Sequence, residues 1–547
     1  MHVSRNNLII ILTFSIYFLV GIFIYKDFGI GIEEHFQRQN GFYWLKEILS
    51  FTNFENLKEL TNQKYQNILL NNPDLPKASF FNFYGILFDL PVAFIEIIFN
   101  LESSKIYFEI RHVLNFIVFF ISSIFFYKIL FERFNFTLTF FGLLIYILTP
   151  RIFGDSFHNN KDVFFLSLFT IALYYCFQVL KKDSYKNIII FCIFAAFATS
   201  SRIIGIFFPF SILIFYFFEF LAKRKEYKKI IIKSFSILFF FSLFLFLHFP
   251  YTWTLNFTNF LNWLDPFFFH MGINILFNGE YFYMKYLPMS YLPTWIFITT
   301  PFFYLFLFIT GIFFLLIRLF KRIISIKEIS VTNDLWRGIN EKKDIYVVIF
   351  FLVFFFYAVF FNVAMVSGWR FFYFLHVLMV YISVFSLHIF YIRYFKNKKF
   401  FFNMLIILPI IFTSYQIFYF HPYQSLYFNL LINSSNVKNF QVDTPSLSRA
   451  DALKNILFLE KSKKTIYVGN ASWTPFSNGK DLLKIADQKK FQFVGQEYDK
   501  ADYIYTNFIY EVNTEYNKKY RIPNNFVEIE KLIINEIPIY SLYKRIN

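Results

Sequence analysis

The sequence predicts a polytopic α-helical membrane protein of about eleven transmembrane helices, with a small α/β domain at its carboxyl end. Hydrophobic residues make up 57% of the 547-residue chain and charged residues only 16%, and the mean hydropathy is +0.47. A soluble protein of this length would lack the polar surface that keeps it dissolved. The basic residues fall in a few runs between apolar segments, which is typical of cytoplasmic loops.

The apolar segments approach or exceed the roughly 20 residues that a bilayer helix needs. A signal peptide is an alternative for the first of them, but no small-residue cleavage site follows it, so we expect a retained helix. The predicted spans are residues 8–25, 112–130, 136–153, 162–180, 187–200, 204–221, 230–249, 291–317, 345–366, 371–391 and 400–420.

The distribution of Lys and Arg orients the chain. With a cytoplasmic amino terminus, Arg5 and the basic runs at 181–186, 223–229, 318–343 and 393–399 all lie inside, as the positive-inside rule requires. We therefore expect a multi-pass protein of the inner (plasma) membrane. Because membrane topology accounts for the net charge of +17, a nucleic-acid partner is not expected.

Two domains are predicted. Residues 1–421 form the membrane domain, with outer loops at 26–111 and 250–290, and residues 422–547 form a periplasmic domain. Within the tail, short β-rich runs near 465, 491 and 502 and a helical stretch over 447–460 favour an α/β fold. Within the first loop, residues 84–100 carry Asp89 and Glu96 on one helical face, which favours an interfacial helix.

Acidic residues follow the first span directly, in a cluster that contains Asp27, Glu33 and Glu34. Adjacent carboxylates near a membrane exit can act as a general base and as a ligand for a metal or a hydroxyl group. An ordinary helix start is the alternative, in which Glu34 pairs with Arg38 four residues later and Glu33 is left less satisfied.

A second polar cluster, RIFGDSFHNNKD at 151–162, joins the third and fourth spans on the outer side. Asn160 can cap the following helix and Asp162 suits its first turn. The cations of the cluster fit phosphate recognition, for which Arg offers bidentate geometry. The predicted phosphate- or substrate-binding residues, here and at other outer ends, are Arg111, His112, Arg151, Asp155, His158, Asn160, Lys161, Arg202, Arg370, His421 and Tyr423.

Five short motifs in order resemble those of bacterial membrane glycosyltransferases of the protein O-mannosyltransferase type, in the GT-C superfamily. They are the acidic pair, RIFGDSFHNNKD, YLPTWIFITTP at 291, SGWRFFYF at 367 and HPYQSLYFN at 421. The resemblance implies transfer of a sugar, with inversion, from a polyprenyl-phosphate carrier to a lipid, glycan or protein acceptor at the outer face. It also implies a catalytic acid in the first outer loop, commonly Asp followed by Glu. This chain has Glu33 before Glu34, with Asp27 upstream, so we rank Glu33 first as the base, Asp27 second and Glu34 as a supporting ligand.

Two other functions stay open at this stage, a lipid or sugar transporter or flippase and a non-catalytic envelope assembly factor. A transporter would carry ionisable residues near span centres and an internal repeat. The span centres are almost free of charge and no repeat is evident. A divalent cation is the one cofactor considered, with Asp155 or His158 near it, but the ligand spacing identifies no metal.

Overall fold

The computed structural model describes residues 4–546 except 78–84, 223–226, 255–257, 259–271, 325–335, 337, 362 and 462. Much of the predicted outer loop 250–290 and parts of the basic runs 223–229 and 318–343 lie outside the described residues.

Helices form at all eleven predicted spans. Among the described residues, eight helices are long and apolar enough to cross a membrane, or nine if one bent pair counts as a single span. The helices of this bundle are α1 (Arg5–Ile24), α5 (Ser104–Phe131), α6 (Phe136–Ile147), α7 (Pro150–His158), α8 (Asp162–Lys181), α9 (Tyr185–Ser201), α10 (Phe207–Ala222), α11 (Tyr227–His248), α12 (Tyr291–Thr299), α13 (Phe302–Ile324), α14 (Ile339–Phe360), α15 (Leu375–Phe390) and α16 (Lys399–Tyr419). The count falls below eleven because α9 and α10 have only 17 and 16 residues and the predicted span 136–153 is divided into two short helices. The predicted span 291–317 is also divided, into α12 and α13, but α13 is long enough to cross by itself.

The segment 136–153, which the sequence predicts as one helix, is bent at its end. Helix α6 ends at Ile147, and α7 restarts at Pro150 with a bend of 58°. Proline lacks the amide hydrogen and crowds the preceding turn, so it favours the first position of a new helix over the interior of an old one. All nine residues of α7 are buried, so the polar motif lies inside the protein.

The first outer loop contains three helices, α2 (Glu34–Ser50), α3 (Glu55–Asn71) and α4 (Asp89–Ile98). Helix α4 lies within the predicted interfacial segment 84–100. Its two carboxylates point into the protein, where Asp89 pairs with Arg111 of α5 and Glu96 pairs with Arg38 of α2. The Asp89–Arg111 pair therefore joins this loop to the bundle, and the Glu96–Arg38 pair joins two helices within the loop.

A two-stranded hairpin that the sequence reading missed precedes α12. Strands β1 (Asn274–Phe277) and β2 (Glu280–Tyr283) pair antiparallel across Asn278 and Gly279, which both have positive φ. Asn-Gly between two short apolar runs is the preferred two-residue hairpin turn, so a signal was present.

The tail folds into an α/β domain, which confirms the predicted fold class. Helix α17 (Arg449–Leu459) precedes β3 (Ile466–Asn470), β4 (Phe491–Gly495) and β5 (Tyr503–Thr506), with the short helix α18 (Ile485–Gln488) between β3 and β4. Two strands beyond those predicted, β6 (Phe526–Ile534) and β7 (Ile537–Arg545), complete a five-stranded sheet of order β4-β3-β5-β7-β6. Strand β3 runs parallel to both of its neighbours, and β7 runs antiparallel to its own.

A buried charge network lies at the end of the bundle where α5 ends and α14 begins. The Asp344 carboxylate accepts hydrogen bonds from Arg133 at 3.0 Å, Arg318 at 3.0 Å and the Tyr381 hydroxyl at 2.8 Å. The Asp344 side chain is only 1% exposed. Each cation offsets the cost of burying this carboxylate.

Replacing Asp344 with Ala should destabilise the protein by about 3–5 kcal/mol, because it leaves the largely buried Arg133 guanidinium without its carboxylate. We expect a lower thermal unfolding midpoint in detergent. Asp344→Asn, which keeps hydrogen-bonding atoms, should lie between Ala and the wild type. Asp499→Ala, a change at an exposed position, is the matched control, and equal midpoints for Asp344→Ala and Asp499→Ala would refute this role.

Candidate active site

The segment that carries the acidic pair is held from behind by the start of the tail. The Ile32 amide donates to the Pro445 carbonyl at 2.9 Å, and the Arg449 Nη2 donates to the Ile30 carbonyl at 2.8 Å. At Gly29 an added Cβ would lie 2.1 Å from the Leu447 carbonyl oxygen, so only glycine permits this approach. Residues about 415 positions apart in sequence thus set where the carboxylates stand.

Glu33 stands at the amino end of α2 between two cations. Its Oε1 accepts a hydrogen bond from Arg370 Nη2, and its Oε2 lies 3.8 Å from Lys161 Nζ. Burial by itself would raise the pKa of Glu33, but the positive charges of Arg370, Lys161 and Arg202 outweigh it and lower the pKa to about 2. The side chain keeps 27% of its surface exposed, so this carboxylate is ionised and open to a ligand.

Glu34 is buried and faces α5. Its Oε1 lies 3.2 Å from His112 Nε2 and accepts the Gly31 amide at 2.7 Å. Burial opposes ionisation, yet His112 and the Gly31 amide lower its pKa. The alternative in which Glu34 pairs with Arg38 does not hold: the Arg38 guanidinium pairs with Glu96 at 2.9 Å, because tertiary contacts supply Glu34 and Arg38 with other partners.

Helix α7 presents its polar motif along one face. Arg151, Asp155 and His158 follow one another at helical spacing. Arg151 Nε donates to the Tyr427 carbonyl at 2.8 Å, and His158 Nε2 lies 3.2 Å from the Asp155 carboxylate and 2.8 Å from the Ser425 hydroxyl. The close approach of Ser425 requires Gly154, where an added Cβ would lie 2.6 Å from the Ser425 amide nitrogen.

These groups line one polar cavity. It contains seven of the residues that the sequence predicts for the site, namely Glu33, Glu34, Arg151, Asp155, His158, Asn160 and Arg370. The structure therefore places acids near position 33 and bases near position 151 around a common space. Such convergence of titratable groups in a buried cleft is typical of active sites.

Two further predicted cations border this space. Lys161 lines an adjoining cavity, and its Nζ lies 3.8 Å from Glu33 Oε2. Arg202 pairs with Asp162, which also lies 3.7 Å from Arg370 Nε. The cap of α8 differs from expectation, because Asn159 rather than Asn160 accepts the Asp162 amide. Asn160 instead donates to Asp89 at 3.5 Å.

The remaining predicted residues lie outside the cavity lining. The Asp27 carboxylate, half exposed, pairs with His421 Nε2 at 3.0 Å. The Tyr423 hydroxyl donates to Asp451 at 2.6 Å. Arg111 and His112 stand behind the acidic pair, bound to Asp89 and Glu34 respectively.

Several lining residues were not predicted as site residues. Ser367, Tyr373 and Ser425 lie within the quoted motifs, and Gln37 lies within the acidic cluster, so their neighbourhood was the available signal. Thr444 and Pro445 come from the tail, and no local pattern marks them.

The described residues contain no group of three or more His, Cys, Asp and Glu side chains placed to hold a metal ion together. Asp155 and His158 are near neighbours, but each already has a partner in the other. A divalent cation stays a prediction.

Residues 90–250 match the family described as dolichyl-phosphate-mannose-protein mannosyltransferase. This match confirms the predicted resemblance over a segment that contains α7 and its polar motif. No curated protein matches the chain.

Among solved structures, the chain is similar to the oligosaccharyltransferase of Archaeoglobus fulgidus in its apo form, with 12% identity and a TM-score of 0.42. The alignment covers 78% of this chain, and the chain spans 62% of that protein's length. No residue role is carried over from that protein.

Proposed function

We propose that this chain is a membrane glycosyltransferase that moves a sugar from a polyprenyl-phosphate carrier to an acceptor hydroxyl at the outer face of the inner membrane. The observation that carries the proposal is the Glu33 carboxylate, which lies in a polar cavity between Arg370 and Lys161. A base beside several cations provides for both halves of the reaction, activation of the acceptor and departure of the phosphate.

In this mechanism, Glu33 takes the proton of the acceptor hydroxyl as the oxygen attacks the anomeric carbon. The bond between that carbon and the phosphate oxygen breaks, with inversion. Arg370, Lys161, Arg202 and Arg151 stabilise the negative charge that develops on the departing carrier phosphate. The proton ends on Glu33 and the electron pair on the phosphate.

Ion pairing also gives the base two states. Beside Arg370 and Lys161, with a pKa of about 2, Glu33 is a weak base. A phosphodiester that draws these cations to itself adds negative charge near Glu33, which favours the protonated form and raises its pKa. Donor binding would thereby strengthen the base at the moment it is needed.

The proposed orientation has a cytoplasmic amino terminus and a periplasmic tail. Helix α5 runs from Ser104, whose hydroxyl accepts from Gln488 of the tail at 2.9 Å, to the charge network around Asp344 at its other end. The cavity and the tail thus share one end of the bundle. The basic runs at 181–186 and 393–399 belong to the other end, which supports a cytoplasmic location for it.

Purified protein in proteoliposomes, supplied with radiolabelled polyprenyl-phosphate mannose or glucose and membrane extract as acceptor, tests the proposal. Transfer of label to an acceptor would support it. Accumulation of label inside the vesicles without transfer would favour a transporter. The absence of both transfer and accumulation would favour an assembly factor.

A further inference from the structure

The lining of the polar cavity contains several buried polar atoms that make no hydrogen bond within the described part of the chain. Buried polar atoms in native proteins nearly always have a partner, so each exception calls for an explanation. The atoms are Glu34 Oε2, Gln37 Oε1, Asp155 Oδ1, Asn160 Oδ1, Arg151 Nη2 and Arg370 Nε. Two of them have an ion-pair neighbour, since Asp155 Oδ1 lies 3.2 Å from His158 Nε2 and Arg370 Nε lies 3.7 Å from Asp162.

Two different chemistries are represented. The Arg151 and Arg370 atoms are donors, which a phosphate oxygen can satisfy. The Glu34, Gln37 and Asn160 atoms are acceptors, because the Glu34 pKa is lowered and the other two are assigned as amide oxygens. A phosphate diester carries no proton to offer them, so their complement is a group with O–H donors.

The three acceptors belong to two neighbouring segments. Gln37 lies one turn after Glu33 on α2, and the Gln37 backbone amide donates to the Glu33 backbone carbonyl at 2.9 Å. Asn160 precedes Lys161 in the connection between α7 and α8. Both amide side chains line the polar cavity and the adjoining one, so they lie beside the proposed base and the proposed phosphate-binding lysine.

Burial makes these acceptors selective. Glu34, Gln37 and Asn160 are 1%, 7% and 6% exposed. A buried acceptor left without a donor loses its interaction with water and gains nothing in return, which penalises ligands that lack the matching hydroxyl. The charge of Glu34 would also disfavour a sugar that carries a carboxylate.

We propose that Glu34, Gln37 and Asn160 form a sugar-recognition subsite that accepts hydrogen bonds from the hydroxyl groups of a neutral donor sugar. The inference rests on the proposed function and adds the class of the sugar and the residues that bind it. It separates Glu34, which binds the sugar, from Glu33, which receives the proton.

The test compares the affinities of purified protein for undecaprenyl phosphate and for undecaprenyl phosphates that bear mannose, glucose, galactose or glucuronic acid. Wild type should bind at least one neutral sugar conjugate about 10- to 30-fold more tightly than the bare carrier, as two or three hydrogen bonds would give. It should show no such preference for the glucuronic acid conjugate.

Gln37→Leu and Asn160→Leu should each reduce this preference at least about threefold and leave the affinity for the bare carrier within about twofold. Retained carrier binding shows that a variant is folded. If Gln37→Leu no longer binds the bare carrier, Gln37→Asn, which keeps the side-chain amide but is shorter, is tested instead. Gln39→Leu is the matched control, since Gln39 is buried on the same helix but lines neither cavity.

A wild type without preference for any neutral conjugate, or Gln37 and Asn160 variants that keep the full preference, would overturn the subsite and leave the proposed function in place. If neither the bare carrier nor any conjugate binds, a polyprenyl-phosphate sugar is not the donor, and the proposed function is refuted.

Discussion

Replacing Glu33 with Gln should lower sugar transfer by about 100- to 10,000-fold, the usual contribution of a general base. Glutamine has nearly the same shape and keeps an oxygen that can accept from Arg370, but it cannot take the acceptor proton. The measurement is the initial rate of transfer in proteoliposomes, with the unfolding midpoint and the membrane yield of each variant as checks on folding.

Two comparisons sharpen this result. Asp27→Asn should retain most activity, because Asp27 pairs with His421 outside the cavity lining. Glu59→Gln applies the same change to an exposed position in the same loop and should behave as wild type. A fully active Glu33→Gln together with an inactive Asp27→Asn would transfer the role of base to Asp27.

Replacing Arg370 with Gln should lower the turnover number by about 100- to 1000-fold, the typical cost of removing one group that stabilises transition-state charge. Arg370 contacts Glu33 directly and lies near Asp162, so the change also removes the nearest positive charge from the proposed base. Arg370→Lys should recover part of the rate, since it restores the charge without the bidentate geometry.

The pH dependence of this variant gives a second readout. The pKa of Glu33 is held at about 2 with Arg370 present. Loss of a neighbouring cation favours the protonated carboxyl and raises that pKa. The acidic limb of the rate profile should therefore move to higher pH in Arg370→Gln, because the base must be ionised to act. Arg393→Gln, at an exposed position far along the chain, is the control, and a lowered unfolding midpoint with unchanged turnover would make the role of Arg370 structural.

The sequence predicted much of the secondary structure because the relevant signals are local. Apolar segments located the helices of the bundle except α7, most of which was expected as an outer connection between two spans, and the runs near 465, 491 and 502 located three of the five strands of the tail sheet. The break between α6 and α7 was missed although Pro150 marked it, because the apolar pattern continues across the proline. Strands β6 and β7 were missed because their sequences mix apolar and charged residues, which makes the β-rich pattern weaker than in the other three strands.

The candidate site was predicted in its residue types but not in its partnerships. The sequence showed that carboxylates and cations gather at one set of helix ends. It could not show that Asp27 pairs with His421, that Arg38 pairs with Glu96, or that Glu34 pairs with His112. Spacing along a helix proposes a partner four residues away, but a closer one from another element takes precedence.

By itself, then, the sequence determined the membrane character of the chain, most of its helices and the residues from which a site could be built, since these depend on composition, periodicity and charge along the chain. Only the tertiary structure decided which carboxylate faces the cavity and which cations surround it. Glu33 and Arg370 lie 337 positions apart, and the tail, through Arg449 and Pro445, holds the loop that carries Glu33. Contacts at such separation arise from how the helices pack, which no local pattern encodes.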